Sequence, residues 1–230
     1  MARGYPMEHS MHSSHILPQS FAIPLSYDPS CSRAIAKRAF DIFAAVTALV
    51  LLSPFLMGIA MLVRISGNGP IFFMQKRVGA GGKIFNIYKF RTMIPNAEDV
   101  LRDLKDQNEA SGPVFKIRRD PRITPIGRYL RRYSLDELPQ LWNILRGEMS
   151  IVGPRPPIPS EVAKYHSWQL RRLSVPQGLT CIWQISGRSD VTFDDWVKLD
   201  LRYIDTWSLR LDFAIIARTF LVVLRGSGAY

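Results

Sequence analysis

From Ile42 to Val63 the chain runs for 22 residues without a charged side chain, IFAAVTALVLLSPFLMGIAMLV. A helix of that length can cross the hydrocarbon core of a bilayer. The competing assignment is a helix buried in the core of a soluble protein. Two details oppose a straight crossing. Ser53-Pro54 falls at the middle of the run. Proline there removes a backbone hydrogen bond and bends a helix, and a neighbouring serine hydroxyl can satisfy the freed carbonyl. The flanks are also basic at both ends. Lys37 and Arg38 precede the run and Arg64 closes it. Lys76, Arg77, Lys83, Lys89 and Arg91 all come before the next acid, Glu98. Basic residues hold a segment on the cytoplasmic side of a membrane. A kinked re-entrant helix over 37–65, entering one leaflet and returning, meets both conditions better than a span.

The charge is concentrated beyond this helix. The chain has 230 residues and a formal net charge of +11. Residues 1–63 hold four basic and three acidic side chains, so residues 64–230 carry 26 and 16, a net of +10. Such an excess predicts anionic partners: nucleic acid, an acidic membrane face or phosphorylated small molecules. Two cysteines, Cys31 and Cys181, have no metal-ligand spacing and read as reduced cytoplasmic thiols. Residues 1–36 form a polar, proline-bearing tail that is expected to be mobile. His9, His12 and His15 could share a helix face there, but no other ligand type lies near, so a solvated tail is expected.

Residues 66–230 read as one cytoplasmic domain. Ile71–Met74 and Ile84–Phe90 flank a Gly81-Gly82 turn and predict a β-hairpin. A charged helix is expected from Asn96 to about Asn108, capped by Asn96. Leu209–Leu224 is apolar with Arg210, Asp212 and Arg218 spaced through it. It fits a helix lying in the membrane interface or, equally, a core helix. The fold class is α+β, mainly helical: a monotopic membrane protein with a re-entrant N-terminal helix, a small hairpin and interfacial amphipathic helices.

The chemistry gathers at Arg128-Tyr129-Leu130-Arg131-Arg132-Tyr133-Ser134-Leu135-Asp136-Glu137-Leu138-Pro139-Gln140. The structural reading is a capping box, Ser134 with Glu137 three residues on. The functional reading uses the same helix start. Its free N–H groups and partial positive charge suit phosphate and keep a carboxylate ionised. Asp136 can then attack phosphorus, and Arg128, Arg131 and Arg132 can neutralise phosphate charge. Glu137 suits a hard cation such as magnesium. Gly153-Pro154-Arg155-Pro156-Pro157 presents an arginine on a stiff segment, either for phosphate or as a solvated turn residue.

Taken in order, these segments resemble the bacterial sugar transferases, monotopic phosphoglycosyl transferases acting on polyprenol phosphate. The resemblance runs from about Lys37 to Tyr230. It rests on Lys37-Arg38-Ala39-Phe40-Asp41, the mid-helix Ser53-Pro54, Gln75-Lys76-Arg77-Val78-Gly79 and Lys89-Phe90-Arg91-Thr92-Met93. It continues through Asp120-Pro121-Arg122-Ile123-Thr124, Ser134-Leu135-Asp136-Glu137-Leu138-Pro139-Gln140 and Arg146-Gly147-Glu148-Met149-Ser150. Val152-Gly153-Pro154-Arg155-Pro156, Pro176-Gln177-Gly178-Leu179-Thr180 and Trp183-Gln184-Ile185-Ser186-Gly187-Arg188 complete it. The resemblance implies that Asp136 attacks the β-phosphate of a UDP-sugar and releases UMP. The phosphosugar then passes from the aspartate to polyprenol (undecaprenyl) phosphate. Magnesium would be held by Glu137 and substrate phosphate or nucleotide by Arg155, with Lys89, Arg91 and Arg128 as further substrate-binding residues.

The resemblance places the chain at the bacterial inner (cytoplasmic) membrane, its catalytic domain on the cytoplasmic side against anionic lipid. Longer members carry extra transmembrane helices and a further domain before this core, so the chain resembles a short form. Its closing Arg225-Gly226-Ser227-Gly228-Ala229-Tyr230 and the Trp183–Arg188 segment resemble members that start exopolysaccharides, which points to UDP-glucose or UDP-galactose as donor. A homodimer stays open. Two alternatives are a membrane-tethered nucleic-acid-binding module, built on the basic block 116–132 with Tyr129 and Tyr133, and a non-catalytic scaffold. No recognisable nucleic-acid motif accompanies the basic block, and nucleic acid is the least expected partner.

Overall fold

The computed structural model describes residues 23–26, 28–115, 117–186 and 192–226. His9, His12 and His15, most of the expected tail, Gly187-Arg188 and the closing 227–230 lie outside the described residues.

The chain is mostly helical. In order it forms α1 (Ser32–Ile65), β1 (Phe72–Val78), β2 (Ile84–Phe90), α2 (Ala97–Leu101), α3 (Pro125–Arg132), α4 (Gln140–Leu145) and β3 (Ser150–Val152). The single turns α5 (Pro159–Val162) and α6 (Ser167–Leu170) follow, then β4 (Gly178–Thr180), α7 (Ile182–Ile185), α8 (Phe193–Thr206) and α9 (Leu209–Arg225).

The helix α1 is one element of 34 residues with Pro54 inside it. It starts at Ser32, five residues before the expected boundary at 37. Its first turns are anchored to the domain: Lys37 Nζ meets Asp212 Oδ2 at 2.7 Å, and Arg38 donates to the carbonyls of Ile144 and Leu145. Those two are among the last carbonyls of α4, which lack intrahelical donors, so a cation is well placed there. Mid-helix, Pro54 leaves the Val50 carbonyl without its usual N–H partner, and Ser53 Oγ donates to that carbonyl at 2.8 Å.

One stripe of α1 is buried against the domain and the rest is bare. Asp41, Ala45, Ile59 and Val63 are buried, with Ala48, Leu49, Leu56 and Ala60 partly so. That three-to-four residue period is one helix face. Phe43, Val50, Leu51, Phe55, Met57 and Met61 on the other faces are exposed. Only 11% of the most apolar window is covered by protein, which excludes a core helix. Among the described residues this is one helix long and apolar enough to cross a membrane.

The expected hairpin is present. β1 and β2 pair antiparallel with Phe72 opposite Phe90 and Val78 opposite Ile84. Phe85 and Ile87 of β2 pack with Ala45 of α1 and with Leu141 and Ile144 of α4. Phe90 packs with Ile59, Val63 and Leu130. The short strands β3 and β4 pair in parallel, Ser150 opposite Gly178. α9 buries Asp212 and Ile215 and exposes Phe213, Phe220, Leu221 and Leu224, which is not how a core helix is covered. Phe213 meets Phe40 of α1 edge-on, ring centroids 4.9 Å apart, so the two bare faces adjoin.

The helix expected over 96–108 is shorter. α2 ends at Leu101, and Arg102, Asp103 and Leu104 then close tight turns to Asp99, Val100 and Leu101. Among the described side chains of this stretch Ala97 and Leu104 are the buried apolar ones, with Val100 and Leu101 half-buried. A helix gains most of its stability from an apolar face, and this one is narrow. Asn96 stands at the cap position but makes no side-chain capping bond.

Candidate active site

The site grows from the end of β2 and the turn after α3. Thr124 caps α3 by accepting from Gly127 N at 3.0 Å, with Pro125 in the first turn. A Cβ at Gly127 would lie 2.1 Å from the Thr92 carbonyl oxygen, so only glycine lets α3 approach the chain leaving β2 this closely. Ser134 then takes a left-handed conformation, φ 52°, and turns the chain out of α3. A side-chain-bearing residue pays a conformational penalty there. Leu135–Glu137 form a single 3-10 turn, and α4 starts only at Gln140. The expected capping box is therefore absent: Ser134 makes no capping bond, and Asp136 and Glu137 stand before α4 rather than in its first turn.

The two adjacent carboxylates have different surroundings. Glu137 Oε1 receives Lys89 Nζ at 2.7 Å and Arg155 Nη1 at 3.1 Å. Asp136 is 7% exposed, and no described residue hydrogen-bonds or ion-pairs with its carboxylate. Glu137 is committed to holding two cations, whereas Asp136 is left free beside them. That is the arrangement a nucleophile needs.

The charges follow from this geometry. Burial pushes the Asp136 carboxyl above its ordinary value, with Glu137 adding to the rise and Lys89, Arg131 and Arg155 opposing it. Burial would raise Glu137 too, but Arg155 and Lys89 outweigh it and hold the carboxyl well below the usual range. Glu137 raises Arg155. Burial lowers Lys89, against the pull of Glu137. Neighbouring titratable groups driven apart in this way are a mark of functional sites.

Arg155 reaches Glu137 from the loop after β3. A Cβ on Gly153 would lie 2.4 Å from the Pro176 carbonyl oxygen, and one on Gly178 2.1 Å from Gly153 N. The Gly153-Pro154-Arg155 segment can lie against β4 only because both positions lack side chains.

Of the residues proposed from sequence, Lys89, Glu137 and Arg155 meet and Asp136 lies beside them. Arg91 is elsewhere: its Nη2 donates to the carbonyls of Val63 (2.9 Å) and Gly67 (2.8 Å), fastening the C-terminal end of α1. Arg128 is exposed on α3, on a different face from the buried Gly127 and Leu130. Arg131, one turn on, is the α3 arginine facing the site. Its Nε donates to Thr92 Oγ1 at 2.9 Å, and Asp136 is the opposing charge that acts on it most strongly. Arg77 on β1 joins from the other side. Burial and the like charge of Arg155 bring it down to about 10. Its alternation with the buried Val78 gave no warning of this. Ser53 and Pro54 lie within α1, outside this cluster.

Magnesium, implied by the resemblance, prefers oxygen donors and is commonly held by one or two carboxylates together with substrate phosphate and water. The adjacent Asp136 and Glu137 fit that donor set. Both cations meet Glu137 at Oε1, so a metal held there would share the carboxylate with Lys89 and Arg155. Among the described residues no three His, Cys, Asp or Glu side chains gather, so the remaining ligands must come from substrate and solvent.

With this geometry established, the chain can be placed among known proteins. A family model described as bacterial sugar transferase matches residues 32–226. The galactosyl transferase CpsE of Streptococcus agalactiae is 48% identical over 199 residues, covering 86% of this chain and 44% of that protein. The exopolysaccharide production protein ExoY of Sinorhizobium fredii is 44% identical over 200 residues, covering 85% of this chain and 88% of that protein. The undecaprenyl-phosphate galactose phosphotransferase of Salmonella typhimurium is 42% identical over 207 residues, covering 86% and 42%. The chain thus spans less than half the length of two of these relatives and most of the third.

Proposed function

This chain belongs to the bacterial sugar transferase family; on that premise we propose that it moves a hexose 1-phosphate from a UDP-sugar to polyprenol (undecaprenyl) phosphate and so starts exopolysaccharide assembly. The single observation that carries the reading is the buried Asp136, without an ion-pair partner among the described residues, beside a Glu137 paired with Lys89 and Arg155. The names of two relatives put galactose first among the hexoses to test.

In the first half-reaction an Asp136 oxygen attacks the β-phosphorus of the donor. A new P–O bond forms, the bond to the bridging oxygen breaks, and UMP leaves with that electron pair. In the second, a phosphate oxygen of the polyprenol phosphate attacks the same phosphorus, and the Asp136 carboxylate leaves. Lys89, Arg131 and Arg155 surround the aspartate with positive charge that attracts the donor diphosphate and steadies charge developing on it. Arg155 can exchange Glu137 for a substrate phosphate, since both are bidentate-capable anions. Magnesium, held by Glu137, would add positive charge at the diphosphate.

The membrane arrangement belongs to the same reading. Lys37 and Arg38 tie one end of α1 to the domain, and Arg91 ties the other at Val63 and Gly67. Both ends held by one domain support a helix that enters a single leaflet and returns, with the bend at Ser53-Pro54. The bare faces of α1 and α9 suit lipid, and the catalytic domain lies on the cytoplasmic side of the inner membrane against anionic lipid. The nucleic-acid reading loses support because its basic block is partly spent internally: Arg122 is bound to Asp120, and Arg131 faces the site.

Membranes containing the protein, given UDP-galactose or UDP-glucose with polyprenol phosphate, are expected to release UMP and form a lipid-linked hexose. No UMP from any UDP-sugar, with the protein folded in the membrane, would overturn the reading. Cysteine labels placed before Ser32 and in the 66–70 turn are expected on one side of the membrane; labels on opposite sides would require a span.

A further inference from the structure

Arg155 is held by a backbone with no slack. Four consecutive carbonyls around it are taken by donors from three segments, β1, the turn 171–173 and β4. Gly178 N bonds Pro154 O at 2.8 Å, Arg172 Nη2 bonds Arg155 O at 3.0 Å, Arg77 Nη1 bonds Pro156 O at 2.8 Å, and Val78 N bonds Pro157 O at 2.9 Å. Two of these donors are strand amides, which cost little. The other two are buried guanidinium groups, and burying a cation is expensive unless it is paired.

Arg172 is the more deeply buried of the two and the one paired with a carboxylate. It is 1% exposed and lies in the turn 171–173. Its Nη2 also meets Asp200 Oδ2 of α8 at 2.6 Å, and its Nη1 donates to Tyr165 Oη at 2.9 Å. Asp200 is equally buried. Trp196 and Tyr165 face the guanidinium at 5.3 and 5.8 Å. One planar fork thus meets a carboxylate, a phenol and the carbonyl of Arg155 together. A lysine, with one nitrogen, cannot span these three partners.

We propose that Arg172, neutralised by Asp200, is a positioning residue that sets Arg155 toward Glu137 and the donor phosphate. The proposal rests on the transferase reading above. It wires α8 to the phosphate-binding arginine through two side chains, Asp200 and Arg172.

The test is a double-mutant cycle on UMP release, with kcat and KM for the UDP-sugar measured for Arg172→Gln, Arg155→Gln and the pair. Arg172→Gln alone is expected to lower kcat/KM on the order of 100-fold, as a small misplacement of a binding group does. In the pair, Arg172→Gln is expected to add less than about twofold to the loss from Arg155→Gln, because its effect passes through Arg155. Losses that multiply would overturn the proposal. Arg172→Gln leaves Asp200 without its cation, so the cycle is repeated on an Asp200→Asn background, which removes the orphaned charge. If neither background gives folded protein in the membrane, Arg172 is a folding residue and the proposal fails. Wild-type protein without UMP release overturns the transferase reading instead, and that result is visible before any variant is assayed.

Discussion

The bare face of α1 and the charge cluster around Asp136 reverse the usual distribution of side chains. Along α1, Phe43, Val50, Leu51, Met57 and Met61 are all more than 60% exposed. Around Asp136, two carboxylates, Lys89, Arg131 and Arg155 are withdrawn from solvent, as is Arg172 behind them. In water alone, the first region costs apolar hydration and the second costs desolvation of charge. Both become reasonable if the first faces lipid and the second awaits a diphosphate. The apolar face needs no partner of its own, whereas each buried charge has an opposite charge nearby, and a change at either region should therefore show a different signature.

The largest expected effect is at the nucleophile. Asp136→Asn keeps the shape and removes the attacking charge, so UMP release should fall by at least about 1000-fold while the protein stays in the membrane. Retained turnover would break the assignment. Glu137→Gln comes next. It strips the counter-charge from Lys89 and Arg155, so we expect loss of activity together with about 3 to 5 kcal/mol of stability, measurable by thermal or denaturant unfolding in detergent. A stable but inactive variant would separate catalysis from charge balance.

On the other region, Val50→Asp sharpens the contrast. At a water-exposed position such a change usually costs under about 0.5 kcal/mol. In a lipid-facing position it costs about 2.5 to 3.5 kcal/mol. The fraction of protein sedimenting with membranes should fall; unchanged partitioning would mean that this face meets water. The smallest effect is on pH dependence. Asp136 must be ionised to attack, and burial raises its pKa. Activity is thus expected to fall as pH drops through a midpoint above the ordinary aspartate value. Glu137, held low, stays ionised across that window. A midpoint at or below the usual aspartate value would contradict the burial argument.

The two regions were not equally legible in the sequence. The apolar helix, its Ser53-Pro54 pair and the hairpin are local patterns, and all three are present as elements. The Asp136-Glu137 pair was legible as chemistry, but its local frame was not. Ser134 fits a capping box by spacing, yet it adopts a left-handed turn and makes no capping bond. Lys89 and Glu137 are 48 residues apart, and nothing in either segment announces their contact. Arg128 and Arg131 are alike by composition. The buried Gly127 and Leu130 set which face of α3 turns inward, and Arg131 lies near it while Arg128 does not. Arg172 carried no signal of its own, because its partners Tyr165, Asp200 and the Arg155 carbonyl converge only in the folded chain.

The central claim is that Asp136 takes the phosphosugar before the lipid does. Purified protein in lipid nanodiscs, free of polyprenol phosphate, is mixed with UDP-galactose or the UDP-sugar that the screen selects. The account predicts a burst of UMP stoichiometric with enzyme, and a hexose-phosphate adduct on the peptide carrying Asp136 by mass spectrometry. UMP that appears only after polyprenol phosphate is added, with no adduct on that peptide, would contradict it.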